Sequence, residues 1–125
     1  MKRIIRTAEA PAALGPYSQA VEKKGTLYVS GQIGIDPSTG KFVEGGIQEQ
    51  TKQIFKNIDA ILKAAGYSPQ DVVKSTCFLD DISDFAAMNE IYGSYYTEDQ
   101  PARSAFAVKD LPAGALVEIE TIAVK

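Results

Sequence analysis

The segment IQEQTKQIFKNIDAILKAAG, residues 47–66, carries Ile47, Ile54, Ile58, Ile61, Leu62 and Ala65 at helical spacing and closes on Gly66. Glycine there readily takes the left-handed backbone that ends a helix, so the pattern predicts one long amphipathic helix. Its apolar stripe needs a partner layer. Outward in both directions the period falls to two, which is the signature of strands.

On the N-terminal side, Lys2 to Thr7 reads as a short edge strand and Ser18 to Glu22 as a second. Lys23-Lys24-Gly25 reads as a hairpin turn into a strand from Thr26 to Ile35, with Leu27, Val29, Ile33 and Ile35 on one face. Asp36 to Gly40 is a turn cluster, and Lys41 to Gly46 a loop or short strand pair. On the C-terminal side, Asp71 to Asp80 is strand-like, with Val72, Val73, Cys77, Phe78 and Leu79. Ser83 or Asp84 is placed to cap a second helix bearing Phe85, Met88, Ile91, Tyr92 and Tyr95, which Pro101 closes. Two last strands, Arg103 to Lys109 and Leu116 to Val124, are joined by Asp110 to Ala115, a connection short enough to predict an antiparallel hairpin. The whole predicts a single α+β domain over residues 1–125, a mixed sheet of about six strands with two main helices packed on one face. The second sheet face is left for something else, and self-association covers it most economically.

The 125 residues hold 13 Lys+Arg, 16 Asp+Glu, one Cys and no His. Without histidine, Ser/His/Asp triads, Cys/His dyads and most catalytic zinc sites are excluded, so any chemistry falls to carboxylates, Arg, Tyr, hydroxyls and backbone groups. The lone Cys77 cannot form an intramolecular disulfide and reads as a small core residue; a reducing, cytoplasmic setting is the expectation. Ile4-Ile5 falls far short of a signal-peptide core, and no stretch approaches the ~20 apolar residues of a membrane span, so a soluble chain with an intact N-terminus and no membrane partner is expected. A net charge of -3 with scattered basic residues leaves no footprint for a phosphate backbone, and no nucleic-acid partner is expected. Absence of HExxH, CxxC, P-loop and GxGxxG patterns leaves neither a metal nor a cofactor implied.

Arg103 follows Pro101 at a strand start, where a guanidinium fork can hold a carboxylate or make an ordinary strand-end ion pair. Ala105 and Ala107 share its face and leave open space beside it, while Ser104, Phe106 and Val108 point the other way. Glu118 and Glu120 share a face of an otherwise apolar strand, available either to a ligand or to simple pairing with cations. In a symmetric hairpin Ala107 lies opposite Glu118 and Arg103 opposite Ile122, which puts Arg103 and both glutamates on one face, with Glu118 roughly 13 Å along from the arginine. Gly15-Pro16-Tyr17-Ser18 is a turn that throws Tyr17 outward, to cover a core edge or a ligand. Gly31, between Ser30 and Gln32, marks a bulge or a close approach. Asn89 and the tyrosines at 92, 95 and 96 lie in the second helix.

Taken together, Gly15-Pro16-Tyr17-Ser18-Gln19-Ala20, Ser30-Gly31-Gln32-Ile33, Pro101-Ala102-Arg103-Ser104 and Glu118-Ile119-Glu120 resemble the reactive intermediate deaminase (RidA/YjgF) family, in order and interval, from about Ile4 to the C-terminus. The resemblance implies a chorismate-mutase-like α+β fold, a homotrimer with ligand sites between subunits, and hydrolysis of small 2-imino acids such as 2-iminobutanoate and 2-iminopropanoate to 2-oxo acids and ammonia without metal or organic cofactor. It implies that Arg103 binds the carboxylate, that Glu118 holds the catalytic water, and that Tyr17, Ser30, Gly31 and Asn89 line the pocket. Where many members carry Cys, this chain has Ala105, so only backbone contacts are implied there. A trimeric module that captures 2-oxo acids without turnover is the alternative; an RNA-directed activity finds no support in charge or composition.

Overall fold

The computed structural model describes residues 1–125. In chain order the elements are β1 (Arg3–Ile5), β2 (Ala20–Lys23), β3 (Thr26–Gln32), a two-residue pair β4 (Ile35–Asp36) and β5 (Lys41–Phe42), helix α1 (Ile47–Ala65), β6 (Val72–Leu79), helix α2 (Phe85–Tyr95), β7 (Ala102–Ala107) and β8 (Val117–Val124). Six strands form one sheet in the order β1-β2-β3-β8-β6-β7, while β4 and β5 pair separately. Only β6 and β7 run parallel, and α2 is the crossover between them.

α1 forms as its spacing predicts. Ile54, Ile58, Ile61 and Leu62 are fully buried on the sheet. Gly66, at φ 83°, turns the chain out of the helix while the Tyr67 N–H donates to the Leu62 carbonyl at 2.8 Å. α2 packs beside it, so both helices cover one face and close a core with Leu27, Val29, Cys77, Leu79, Met88, Val117 and Ile119.

α2 starts differently from the expectation. The cap is Asp81, whose carboxylate accepts from the Ser83 N–H at 2.9 Å and the Ser83 hydroxyl at 2.8 Å and opens a 3-10 turn, Ile82–Asp84, that runs into the helix. Asp84 holds the N-cap position of α2 itself, as the spacing predicts, but its side chain makes no capping hydrogen bond, and Ser83 lies inside the 3-10 turn. β3 also ends early. Its ladder to β8 breaks between Val29 and Gln32, and the irregularity at Ser30-Gly31 reverses the side-chain phase, so that Gln32 is buried and Ile33 only half-buried.

The largest departure is at the C-terminus. β7 and β8 are not a hairpin, because β6 lies between them, parallel to β7 and antiparallel to β8. The connector 108–116 passes around the end of β6, pinned where Val108 N–H donates to the Leu79 carbonyl at 2.9 Å and Asp80 N–H to the Leu116 carbonyl at 3.0 Å. Stepping over one strand takes about 10 Å, well within reach of such a segment.

The sheet face away from the helices stays open. One row of register partners, Ile4, Val21, Tyr28 and Ile122, crosses four strands on it, and Ile4, Tyr28, Phe106 and Val124 are exposed there.

Candidate functional site

Two groups of polar side chains stand out, one on each side of the sheet. The first is built by β7 and α2. Along β7, Arg103 and Ala105 turn toward the helices and are half-buried, whereas Ser104 and Phe106 turn to the open face. Phe85, Asn89 and Tyr92 lie four and then three residues apart on α2, which stacks them into one stripe facing the arginine. The guanidinium carbon sits 4.6 Å from the centre of the Tyr92 ring and 5.4 Å from that of Phe85. Arg103 Nη1 donates to Asn89 Oδ1 at 2.6 Å. Because arginine only donates, that contact assigns the Asn89 oxygen to the guanidinium and leaves the Asn89 NH2 free as a further donor. Ala105 is level with Cys77 of β6 and packs against the core.

The second group is built by the β3 bulge and β8. Glu118 projects on the open face, half-buried, level with Phe78 and, beyond it, Phe106, whose rings meet edge to face at 5.5 Å. Its carboxylate lies directly against Gly31; a side chain at that position would occupy the space of the carboxyl group. Gly31 is therefore both the bulge and the close approach that a strand glycine signals. Ser30 ties the bulge to the preceding loop, its N–H donating to the Gln19 carbonyl at 3.0 Å and its hydroxyl to the Ser18 carbonyl at 2.6 Å. The Gln19 side chain in turn clamps that loop, accepting from Thr7 N–H at 2.7 Å and donating to the Pro11 carbonyl at 2.8 Å. Tyr17 projects from the loop, 55% exposed, into a hollow of about 370 Å³ that Gly31, Leu14, Ile33 and Ala113 also line.

Burial raises the Glu118 carboxyl above the usual carboxylate range and the charge of Glu120 adds to the rise; no hydrogen bond from the chain opposes them. Cys77 behaves oppositely to a nucleophile, since burial pushes its thiol up to about 11. No group of three Cys, Asp or Glu side chains converges on a point where a metal ion would sit.

The shared face expected for Arg103 and the glutamates is not formed. Through β6, Arg103 is level with Ser75 and Thr121, not Ile122, while Glu118 is level with Phe78. A shift of one position flips the face, so Arg103 points to the helices and Glu118 away from them. The two are three positions apart along β6, about 10 Å, on opposite sides of the sheet. Gly31 lies against Glu118, with Ser30 next to it on the bulge and Tyr17 across the hollow that Gly31 lines; Asn89 bonds Arg103, and Ala105 shares its strand face. The aromatic support under Arg103, Phe85 and Tyr92, escaped the reading of the residues, although their spacing with Asn89 on one helix is the signal that finds it.

Comparison with known proteins places this geometry. The family described as Endoribonuclease L-PSP matches residues 7–125. The 2-iminobutanoate/2-iminopropanoate deaminase of Homo sapiens is 52% identical over 125 residues, covering all of this chain and 91% of that protein. Among solved structures, RidA from an Antarctic Psychrobacter superposes with a TM-score of 0.95 at 49% identity, covering 98% of this chain and 99% of that one. Escherichia coli TdcF with bound serine superposes with a TM-score of 0.94 at 40% identity, covering 98% of each chain. The chain thus belongs to the Endoribonuclease L-PSP family, the same RidA/YjgF family that its four short motifs resemble.

Proposed function

We propose that this protein hydrolyses reactive 2-imino acids, and their enamine tautomers, to 2-oxo acids and ammonia, with 2-iminobutanoate and 2-iminopropanoate as the substrate class. The observation that carries this reading is the half-buried Glu118 carboxylate, raised in proton affinity and seated against the bare backbone of Gly31. Relatives that bear the deaminase name over the whole chain length support it. Imine hydrolysis needs an electrophilic C=N carbon, an oriented water and a base, and no nucleophilic side chain. Glu118 accepts a proton from water as its oxygen bonds to the iminium carbon. The same proton passes to the amino nitrogen of the tetrahedral adduct; Glu118 then takes the hydroxyl proton as the C=O bond forms and the C–N bond breaks, and the departing ammonia picks that proton up as ammonium. Arg103, with the free NH2 of Asn89 beside it, holds the substrate carboxylate.

Since Arg103 and Glu118 of one chain point to opposite sides of the sheet, the site we propose takes its arginine, Asn89 and Ala105 from one subunit and Glu118, Gly31, Ser30 and Tyr17 from a neighbour. A closed homotrimer supplies such a pairing at every interface and covers the exposed Ile4, Tyr28 and Val124. No helix is long and apolar enough to cross a membrane, and the single buried Cys77 accords with a reducing, cytoplasmic setting. The test couples a serine or threonine dehydratase to the protein and follows ammonia release. Acceleration by the wild type and none by Arg103→Ala is expected; no acceleration by a folded wild type contradicts the deaminase reading and leaves a capture module for 2-oxo acids.

A further inference from the structure

Arg103 ends in a flexible side chain, yet its guanidinium makes three contacts with one stripe of α2: the Tyr92 ring at 4.6 Å, the Phe85 ring at 5.4 Å and Asn89 Oδ1 at 2.6 Å. We infer that Tyr92 is a positioning residue for the substrate carboxylate, its ring face setting the plane of the Arg103 guanidinium so that the edge not taken by Asn89 is presented to the ligand. The inference rests on the imino acid site proposed above and extends it one layer inward.

Three features single out Tyr92 from the other two contacts. Phe85 is farther away, and Asn89 stands exposed on the helix surface. Tyr92 is only 4% exposed and cannot move alone, because its ring meets Phe55 of α1 edge to face at 5.7 Å and Tyr96 at 5.0 Å. The guanidinium plane is therefore referred to the packing between the two helices. A cation held over a ring also loses freedom before the ligand arrives, which lowers the cost of ordering it on binding.

The Tyr92 hydroxyl does none of this. It is buried without completing a hydrogen bond, as are the hydroxyls of Ser75, Thr121 and Tyr96. Ser75 lies directly beside Arg103 across the β6–β7 ladder, and Thr121 beside Ser75 across the β6–β8 ladder. Burial keeps the phenol protonated, so the ring meets the guanidinium as a neutral π face and not as a counter-ion. The ring, and not the hydroxyl, carries the contact to arginine, which sets apart the effects of Phe and Leu at this position.

Titration with 2-oxobutanoate, alongside steady-state deamination, tests the role. Tyr92→Phe keeps the ring and is expected within about twofold of wild type in both Kd and KM. Tyr92→Leu is expected to raise Kd and KM about tenfold with kcat within about threefold. In 15N–1H spectra the Arg103 Nε–H of the wild type and of Tyr92→Phe is expected to carry the upfield shift of a proton over a ring face. Tyr92→Phe as weak as Tyr92→Leu, kcat falling with KM unchanged, or a wild-type Arg103 signal without a ring-current shift would each overturn the inference, and the spectrum decides it even where Tyr92→Leu fails to fold. Failure of the deaminase reading looks different: 2-oxobutanoate still binds with the same dependence on residue 92, but no ammonia is released.

Discussion

The β7 edge and the β3 bulge hold their charged groups by contrasting means. Arg103 rests on side chains that α2 supplies, with two aromatic faces and an amide oxygen fixing it before any ligand arrives. Glu118 has the reverse surroundings: a glycine under its carboxylate, two phenylalanine rings along its row, a second glutamate on its face and no donor of its own chain. An anchor gains from support and a base gains from the lack of it, because each withheld hydrogen bond raises proton affinity. One protomer holds each half of the proposed site on a different side of its sheet, so the proposed reaction requires a second subunit.

Breaking the anchor has the largest expected effect. Arg103→Ala is expected to reduce kcat/KM to the background of spontaneous hydrolysis while the circular dichroism melt stays close to wild type, since the side chain is half-exposed and its removal leaves the core intact. Breaking the base comes next. Glu118→Gln is expected to lower kcat by about 10²–10³-fold with the affinity for 2-oxobutanoate within about threefold, as removal of a general base does.

Filling the floor sharpens the contrast without touching a charged group. Gly31→Ala places a methyl where the Glu118 carboxyl group lies, and the neighbour that must give way is the end of a side chain. Single-turnover rates are expected to fall by about tenfold or more, with melting temperature changed by only about 2–4 °C. An alanine enzyme as fast as wild type would mean that Glu118 does not work from its place on the bulge.

A pH profile probes the environment of the base alone. The folded-state value of Glu118 lies above its unfolded one, so kcat/KM is expected to fall on the acid side as the carboxylate protonates, with its midpoint above the ordinary glutamate range, and Glu118→Gln should erase that limb. The stability effect has a fixed sign. The protonated form favours the fold, so this contribution is present at low pH and lost as pH rises through the folded value. Glu118→Gln should therefore melt slightly higher than wild type near neutral pH, and the gap should close toward pH 4; solvent screening of a half-exposed group keeps it small. The smallest effect is structural: Asp81→Ala removes the cap ahead of α2 and should cost about 1 kcal/mol in denaturant melts, with KM rising modestly because Asn89 and Tyr92 ride on that helix.

Much of the fold is legible in the residues. The period of 47–65 identifies α1 to the residue, because six apolar positions and a closing glycine agree. The C-terminal strands are legible as strands and misleading as a pair, since a connector such as 108–116 spans a hairpin or an intervening strand equally well. That one ambiguity moved Arg103 by a single register position and put it on the wrong face. The bulge at Ser30-Gly31 changed the phase of β3 in the same way, burying Gln32 where the alternation asks for Ile33. Short polar motifs single out the candidate side chains. Which face each one takes is a property of long-range pairing, and no local pattern encodes it.

Subunit mixing tests the composite site most directly. Arg103→Ala and Glu118→Gln chains, each inactive alone, are unfolded together in equal amounts and refolded. If every site takes its arginine from one subunit and its glutamate from the next, about a quarter of the sites in random assemblies recover both wild-type groups, and about a quarter of the wild-type rate returns. No activity above that of the separate variants, in a mixture shown to have exchanged subunits, would contradict a site shared between chains.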